Sequence, residues 1–296
     1  MLMSVVYFFI FLASCILGAI VGLGGGVIIR PILDAIGYHG VDDIGFLTSS
    51  AVLIMALVST AKKVQDGTKI DVAKAALICL GSLIGGTLGD QLLRVPAGIF
   101  GETNLQIAQT IATIFFLVLA IYFTEKSDLR YELKNRFLYL MLGIFLGTIA
   151  VFLGIGGGPI NVPVFMILFN LPVKQATAYS IVVIFFSHLS RLTTMGLTGD
   201  SLGYGAFDLS FIPFIIPAAI IGGAIGAIIS RRLTDIVVRK TFTITMFVLI
   251  AINIFNLAMF VISGDGEFYP YYPVGDISLL HECSKHLVCQ VHSLWG

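Results

Sequence analysis

Stretches without a charged residue dominate the sequence. A helix needs about 20 mostly apolar residues to cross the roughly 30 Å hydrocarbon core of a bilayer, where backbone groups cannot be left unpaired. We therefore predict an all-α polytopic membrane protein. The longest charge-free runs are 2–29, 44–61, 75–89, 103–124, 137–173, 175–190, 209–230 and 241–264.

The composition supports a membrane protein. Of the 296 residues, 57% are hydrophobic and 11% are charged, whereas a soluble domain is about 25% charged. This excludes a soluble enzyme. The 17 basic and 17 acidic side chains give a net charge of zero, which argues against a nucleic-acid partner.

The chain repeats itself in two places. Residues 22–31 (GLGGGVIIRP) match residues 154–163 (GIGGGPINVP) at an offset of 132, with five shared glycines or prolines. Residues 85–89 (GGTLG) then match residues 222–226 (GGAIG) at an offset of 137. We predict two homologous halves of four segments each, 1–130 and 131–263, followed by a C-terminal tail, 264–296.

The two runs that contain the glycine triplets are also the longest, with 28 and 37 residues. At about 1.5 Å per residue, a continuous helix of the second run would be roughly 55 Å long, nearly twice the thickness of the hydrocarbon core. We predict that both runs are broken at the triplets and re-entrant.

Loop charges predict the topology. The connections 62–74, 125–136, 170–174 and 231–240 hold 13 Lys/Arg and 6 Asp/Glu, so the positive-inside rule makes them cytoplasmic. The remaining charged segments hold 4 Lys/Arg and 11 Asp/Glu and should be external. They are 30–43, 90–102, 191–208 and the tail.

Equivalent loops of the two halves therefore lie on opposite sides of the membrane, which indicates inverted repeats. Each half would contain one Gly-broken re-entrant helix and three spanning helices. The alternative is eight simple spans with parallel repeats, which places 231–240 outside.

The glycine triplets, Gly24, Gly25 and Gly26 in one half and Gly156, Gly157 and Gly158 in the other, are candidate binding elements. Without Cβ atoms the backbone can unwind and present N–H groups, and a helix that restarts there points its positive dipole end at the gap. Pro159 suits the first turn of such a helix. We predict one shared site for a small anion, although glycine triplets also serve close helix packing.

Polar residues inside apolar runs complete the candidate substrate site. Thr48 and Ser49 open the second helix, and Ser180 aligns with Thr48 at the offset of 132. Asn161 follows the second triplet. Arg30 follows the first triplet and either contacts the anion or extends to the interface with Asp34 as its partner.

Four further residues are candidates for coupling or gating. His188 can titrate near neutral pH and shares a helical stripe with Arg191, but a lone histidine is also common as a hydrogen-bonded interface residue. Arg94 and Arg231 occupy matching positions at helix ends. They either set topology or attract anions to the two mouths of the path.

The tail contains His281, Cys283, His286, Cys289 and His292. These residues leave a zinc site or a Cys283–Cys289 disulfide open, but the paired Cys-x₂-Cys arrangement of a strong zinc signature is missing. We predict no resident metal and no cofactor.

Residues 22–31 and 153–163, together with the later Ala178-Tyr179-Ser180, resemble the sulfite exporter TauE/SafE family of membrane anion permeases. The resemblance implies transport of small anions such as sulfite, sulfonates, thiosulfate and organic acids. It maps the family's glycine signatures onto Gly24–Gly26 with Pro31 and onto Gly156–Gly158 with Pro163. Arg30 departs from the usual apolar residue before that proline.

We expect a multi-pass secondary transporter of the cell membrane, an exporter working by alternating access between the two glycine breaks. Its partners are a small inorganic or organic anion and the lipid bilayer, with a homo-oligomer left open. The triplets lack the Gly-Lys-Ser/Thr ending of a P-loop, so ATP-driven transport would need a separate subunit. The alternative is a membrane-embedded binding or sensing protein that uses the Cys/His tail, and an enzyme ranks last.

Overall fold

The computed structural model describes residues 2–67, 71–100, 102–125, 131, 133, 135–154, 157–197 and 209–262. Regular structure in these residues is helical, which confirms the all-α prediction. A short 3₁₀ helix, Leu209–Phe211, precedes α9. The ten α-helices are α1 (Leu2–Val21), α2 (Gly26–Ile36), α3 (Val41–Gln65), α4 (Val72–Phe100), α5 (Glu102–Glu125), α6 (Arg136–Phe152), α7 (Gly158–Leu168), α8 (Val173–Leu197), α9 (Ile212–Arg232) and α10 (Asp235–Ile262).

Seven of the described helices are long and apolar enough to cross a bilayer, namely α1, α3, α4, α5, α8, α9 and α10. Large apolar side chains cover the outer surface: Phe9, Phe115 and Phe247 are each about 60% exposed. Such a surface is costly in water and favourable against lipid tails. The chain is therefore a multi-pass membrane protein.

Both over-long runs are broken at their glycines, and each forms a helical hairpin. Helix α2 turns back along α1, so the Tyr7 ring lies 5.6 Å from the His39 ring. Helix α7 turns back along α6 in the same way, which brings the Tyr139 ring within 5.4 Å of the Phe169 ring. Each hairpin begins and ends at one end of the molecule.

The contacts between helices repeat at the same offsets as the sequence. A Cβ atom added to Gly86 of α4 would lie 2.7 Å from the backbone oxygen of Ser187, and one added to the equivalent Gly223 of α9 would lie 2.9 Å from that of Met55. Residues 55 and 187 are themselves 132 positions apart. Glycines therefore pack α4 against α8 and α9 against α3 in equivalent ways.

Helices α3 and α8, which correspond at the offset of 132, run in opposite directions. The end of α3 meets the start of α8, where Lys63 Nζ donates to Thr177 Oγ1 at 3.2 Å. The start of α3 meets the later part of α8, where Arg191 Nη1 donates to Ser49 Oγ at 3.3 Å. The equivalent helices α5 and α10 are also antiparallel, since Arg239 near the start of α10 contacts Glu125 at the end of α5.

The molecule has two chemically different ends. At one, which we name the aromatic end, Tyr7, Tyr38, His39 and Phe211 form a cluster in which five ring pairs are 4.6–6.2 Å apart. At the other, the basic end, the connections predicted to be cytoplasmic come together through three pairs of contacts. These pairs are Arg231 with Asp66, Lys174 with Asp235, and Arg239 with Glu125.

Two of the predicted external loops are largely helical. Helix α4 continues to Phe100 and α2 includes Arg30 and Asp34, so Arg94 is not at a helix end as expected. The side chain of Arg94 lies outside the described residues. The error has a physical cause: charged residues at 30, 34 and 90 pair with groups inside the protein, so a charge does not mark the end of a helix.

Replacing Gly89 or Gly226 with alanine should lower the stability by about 1–3 kcal/mol. The new Cβ atoms would lie 2.6 Å from the backbone oxygen of Thr148 and 2.5 Å from that of Ile16. Thermal unfolding in detergent measures the loss. Gly40→Ala is the control, because its Cβ would meet no atom within 4 Å. An equal loss in the control would contradict this account of helix packing.

Candidate functional site

The two glycine breaks contact each other. A Cβ atom on Gly158 would lie 2.5 Å from the carbonyl carbon and oxygen of Leu23. The first break also packs on α8, because Ser180 Oγ donates a 2.7 Å hydrogen bond to the carbonyl oxygen of Gly22. The structure thus brings the two glycine segments and Ser180 together, although Gly156 lies outside the described residues.

The helices that restart at the breaks have glycine N-caps with nearly identical geometry. The φ angles of Gly25 and Gly157 are 67° and 68°, in the left-handed region that favours glycine. Because both N-cap residues are glycines, no N-cap side chain accepts a hydrogen bond from the first N–H groups of either helix. The positive dipole ends of α2 and α7 therefore begin beside the contact between the breaks.

Two buried polar side chains near the breaks have no hydrogen-bond partner among the described residues. Asn161 is fully buried, both atoms of its amide are unpaired, and its Oδ1 is 3.4 Å from the Cβ position of Gly157. Thr48, the equivalent of Ser180, is also fully buried with an unpaired Oγ1, and it lies one helical turn before Val52, whose Cγ1 is 3.6 Å from the Cβ position of Gly24. Unpaired buried polar groups are rare and costly, which makes these two side chains candidates for binding a ligand.

Ser49 belongs to a different contact, nearer the aromatic end. It accepts a hydrogen bond from Arg191, whose Nε is 3.8 Å from a carboxylate oxygen of Asp90. The guanidinium lies against α3 at Gly45, where a Cβ atom would be 2.5 Å from Nη2. Arg191 and Asp90 are each about 3% exposed. This buried ion pair links α3, α4 and α8.

Arg30 supports the second break rather than extending to the interface. It is only 6% exposed. Its Nη1 donates to the carbonyl oxygen of Leu153 at 2.9 Å, and its Nη2 donates to Gln109. Gln109 in turn donates to the carbonyl oxygen of Phe152 at 2.7 Å. These two side chains satisfy the carbonyls where α6 ends, and Asp34 lies 3.8 Å from Arg30 as the sequence suggested.

Two candidates remain, and His188 lies on α8 one helical turn after Ile184, whose side chain is 3.1 Å from the Cβ position of Gly24 in the first break. His188 is fully buried, and neither ring nitrogen has a partner among the described residues. Arg231 lies at the basic end, 2.6 Å from Asp66.

Sequence reasoning missed three buried polar residues that contact other helices. They are Lys63, which contacts Thr177, Asp90, which contacts Arg191, and Gln109, which contacts Arg30. The two charged residues were assigned to loops because they border apolar runs. Gln109 gave a usable signal, since an amide in the middle of an apolar run needs a partner.

Arg30→Met and Gln109→Leu should each destabilise the protein and should be non-additive, because both side chains serve the same carbonyls. We expect a coupling energy of about 0.5–3 kcal/mol in a double-mutant cycle followed by thermal unfolding. Gln106→Leu on the same helix is the matched control, since its side chain has no hydrogen bond in the structure. Additivity of Arg30→Met with Gln109→Leu would refute the shared role.

Comparison with known proteins identifies relatives that are named as probable membrane transporters. The chain is 26% identical over 219 residues to a probable membrane transporter protein of Methanocaldococcus jannaschii, covering 70% of this chain and 76% of the relative. It is 25% identical over 243 residues to the probable membrane transporter protein YunE of Bacillus subtilis, covering 73% and 84%. It also matches the probable membrane transporter protein MamO of Paramagnetospirillum magneticum at 26% identity, over 79% of this chain but 42% of that longer protein.

No solved structure gave a significant match to the chain. The profile of the sulfite exporter TauE/SafE family matches residues 6–254, nearly the whole of the described part. The family consists of membrane transporters rather than enzymes. The chain belongs to the sulfite exporter TauE/SafE family of multi-pass membrane transporters.

Proposed function

We propose that this transporter is a secondary exporter of small anions such as sulfite, sulfonates or related sulfur and organic oxyanions. The anion binds between the two glycine breaks, and the site opens alternately to the two sides of the membrane. The observation that carries the proposal is the fully buried Asn161, whose amide is unpaired beside the N-terminus of α7.

The donors at this site suit an anion. The starts of α2 and α7 supply positive dipole ends, while Asn161 and Thr48 supply an amide and a hydroxyl. None of these groups carries a formal charge. Neutral donors hold an anion without the strong attraction of a fixed cation, which favours release on the far side.

The repeated architecture supports alternating access. The halves 1–130 and 131–263 act as inverted repeats in this proposal, with α3 and α8 antiparallel at the centre. Exchanging the roles of two equivalent halves converts a site open to one side into a site open to the other. The glycine breaks at their contact remain the shared binding element.

Asn161→Leu should reduce anion flux about tenfold or more, because it removes the unpaired amide while conserving volume. Flux is measured in proteoliposomes with sulfite, thiosulfate, a sulfonate and a carboxylate. Asn253→Leu on α10 is the control, since that amide is already bonded to the carbonyl of Leu249. Gly157→Leu should abolish flux, because its Cβ would be 2.6 Å from Ala150.

Two results would overturn the proposal. If the wild-type protein moves no anion of the panel, small-anion transport is wrong. If the wild type is active but Asn161→Leu and Gly157→Leu fold and transport normally, the site is misplaced.

Labelling of Tyr38→Cys and Asn170→Cys tests the inversion, because these exposed positions are 132 residues apart in equivalent loops. In a background with Cys283 and Cys289 replaced by serine, a membrane-impermeant maleimide should label Tyr38→Cys in intact cells. It should label Asn170→Cys only after permeabilisation. Labelling of both from the same side would establish parallel repeats instead.

A further inference from the structure

A cavity of about 400 Å³ opens at the basic end, between the ends of α3 and α9 and the start of α8. Its volume is far larger than a sulfur oxyanion requires. Five charged residues line it, three of them basic. They are Lys63, Asp66, Lys174, Arg231 and Asp235.

Lys63 differs from the other charges of this cavity because it is buried and lacks a counter-ion. The residue is 7% exposed. Its ammonium donates to the neutral hydroxyl Oγ1 of Thr177 at 3.2 Å, and no carboxylate of the described residues forms an ion pair with it. A buried charge without a counter-ion is strongly unfavourable, so an anion in the cavity would supply what the protein does not.

The acidic residues of the cavity are already engaged elsewhere. Asp66 is 2.6 Å from Arg231, and Asp235 accepts a hydrogen bond from the backbone N–H of Lys174 at 3.1 Å. The ammonium of Lys174 donates to carbonyl oxygens near the end of α9, those of Arg231 and Leu233. Lys63 is therefore the charge that remains available to a ligand.

The position of Lys63 is informative. It lies on α3, one of the two central antiparallel helices, and reaches the beginning of α8 at Thr177. Arg191 of α8 reaches the beginning of α3 at the opposite end of the same pair, but Arg191 is paired with Asp90. At one end of the α3–α8 pair, Arg191 is neutralised by Asp90. At the other end, Lys63 has no carboxylate partner among the described residues.

We propose that Lys63 and Thr177 form an anion-binding site at the inner end of the basic-end cavity, where the transported oxyanion binds before it reaches the glycine breaks. This inference rests on the proposed anion transport and adds a second site to it. The ammonium of Lys63 donates a hydrogen bond to the oxyanion, and the Thr177 hydroxyl, which donates to the carbonyl oxygen of Lys174 at 2.7 Å, positions that ammonium.

Thermal unfolding of purified protein with increasing sulfite, sulfate or thiosulfate is the first measurement. Wild-type protein should be stabilised by the anion, since a ligand that binds only the folded state raises the unfolding temperature. Lys63→Met should be at least as stable as wild type without anion, because it removes an uncompensated buried charge. Its unfolding temperature should then rise less with anion than that of wild type.

Flux in oriented proteoliposomes is the second measurement. For anion presented at the basic end, Lys63→Met should raise the half-saturating concentration about tenfold or more with a smaller change in maximal rate. For anion presented at the aromatic end the change should be smaller. Thr177→Val should act in the same direction, and Lys63→Arg should retain most of the wild-type affinity.

Lys62→Met is the matched control, because it removes the neighbouring positive charge from a residue that does not line the cavity. It should leave both measurements unchanged. Unchanged half-saturation in Lys63→Met while wild type transports anions would overturn this site and leave the proposed function intact. A loss of stability in Lys63→Met without anion would show a structural role and also overturn it. Absence of flux in wild type would instead defeat the proposed function itself.

Discussion

Backbone carbonyls freed at the two helix breaks impose the constraint on which the rest of this structure depends. A break inside a membrane protein is tolerated only where other protein groups pair with the exposed backbone. At the first break, Ser230 donates to the carbonyl of Ile20 and Ser180 to that of Gly22. At the second break, Gln109 donates to the carbonyl of Phe152 and Arg30 to that of Leu153. These donors come from helices distant in sequence, so the breaks fix how the bundle assembles.

The two breaks are equivalent in backbone geometry but not in chemistry. Hydroxyl groups satisfy the first, whereas a guanidinium and an amide satisfy the second. The carbonyls of Ile20 and Phe152 are 132 positions apart. The first accepts a hydrogen bond from the hydroxyl of Ser230 and the second from the amide of Gln109. Matching backbone positions in the two breaks are therefore held by different chemical groups.

The few charged residues of the membrane region are mostly paired with other protein groups. Arg30 and Arg191 are occupied with carbonyls, with Gln109 and with Asp90. Neutral donors, the helix N-termini and Asn161 remain beside the glycine breaks. A fixed cation at the centre would bind an anion tightly and slow its release. In the function proposed above, Lys63 at one end captures the anion and the neutral donors at the breaks bind it during passage.

Sequence alone determined the fold class and the helix breaks, and its internal repeat predicted two homologous halves. These properties follow from local features: runs of apolar residues, glycines that restart helices, and the fixed offset between Gly25 and Gly157. The continuation of α4 through 90–100 was not predicted, because the charge of Asp90 was taken as a sign of a loop. Only the tertiary structure could reveal the partners that allow such charges to be buried. The energy of a buried charge depends on its neighbours in space, and residues such as Lys63 and Thr177 are 114 positions apart in the chain.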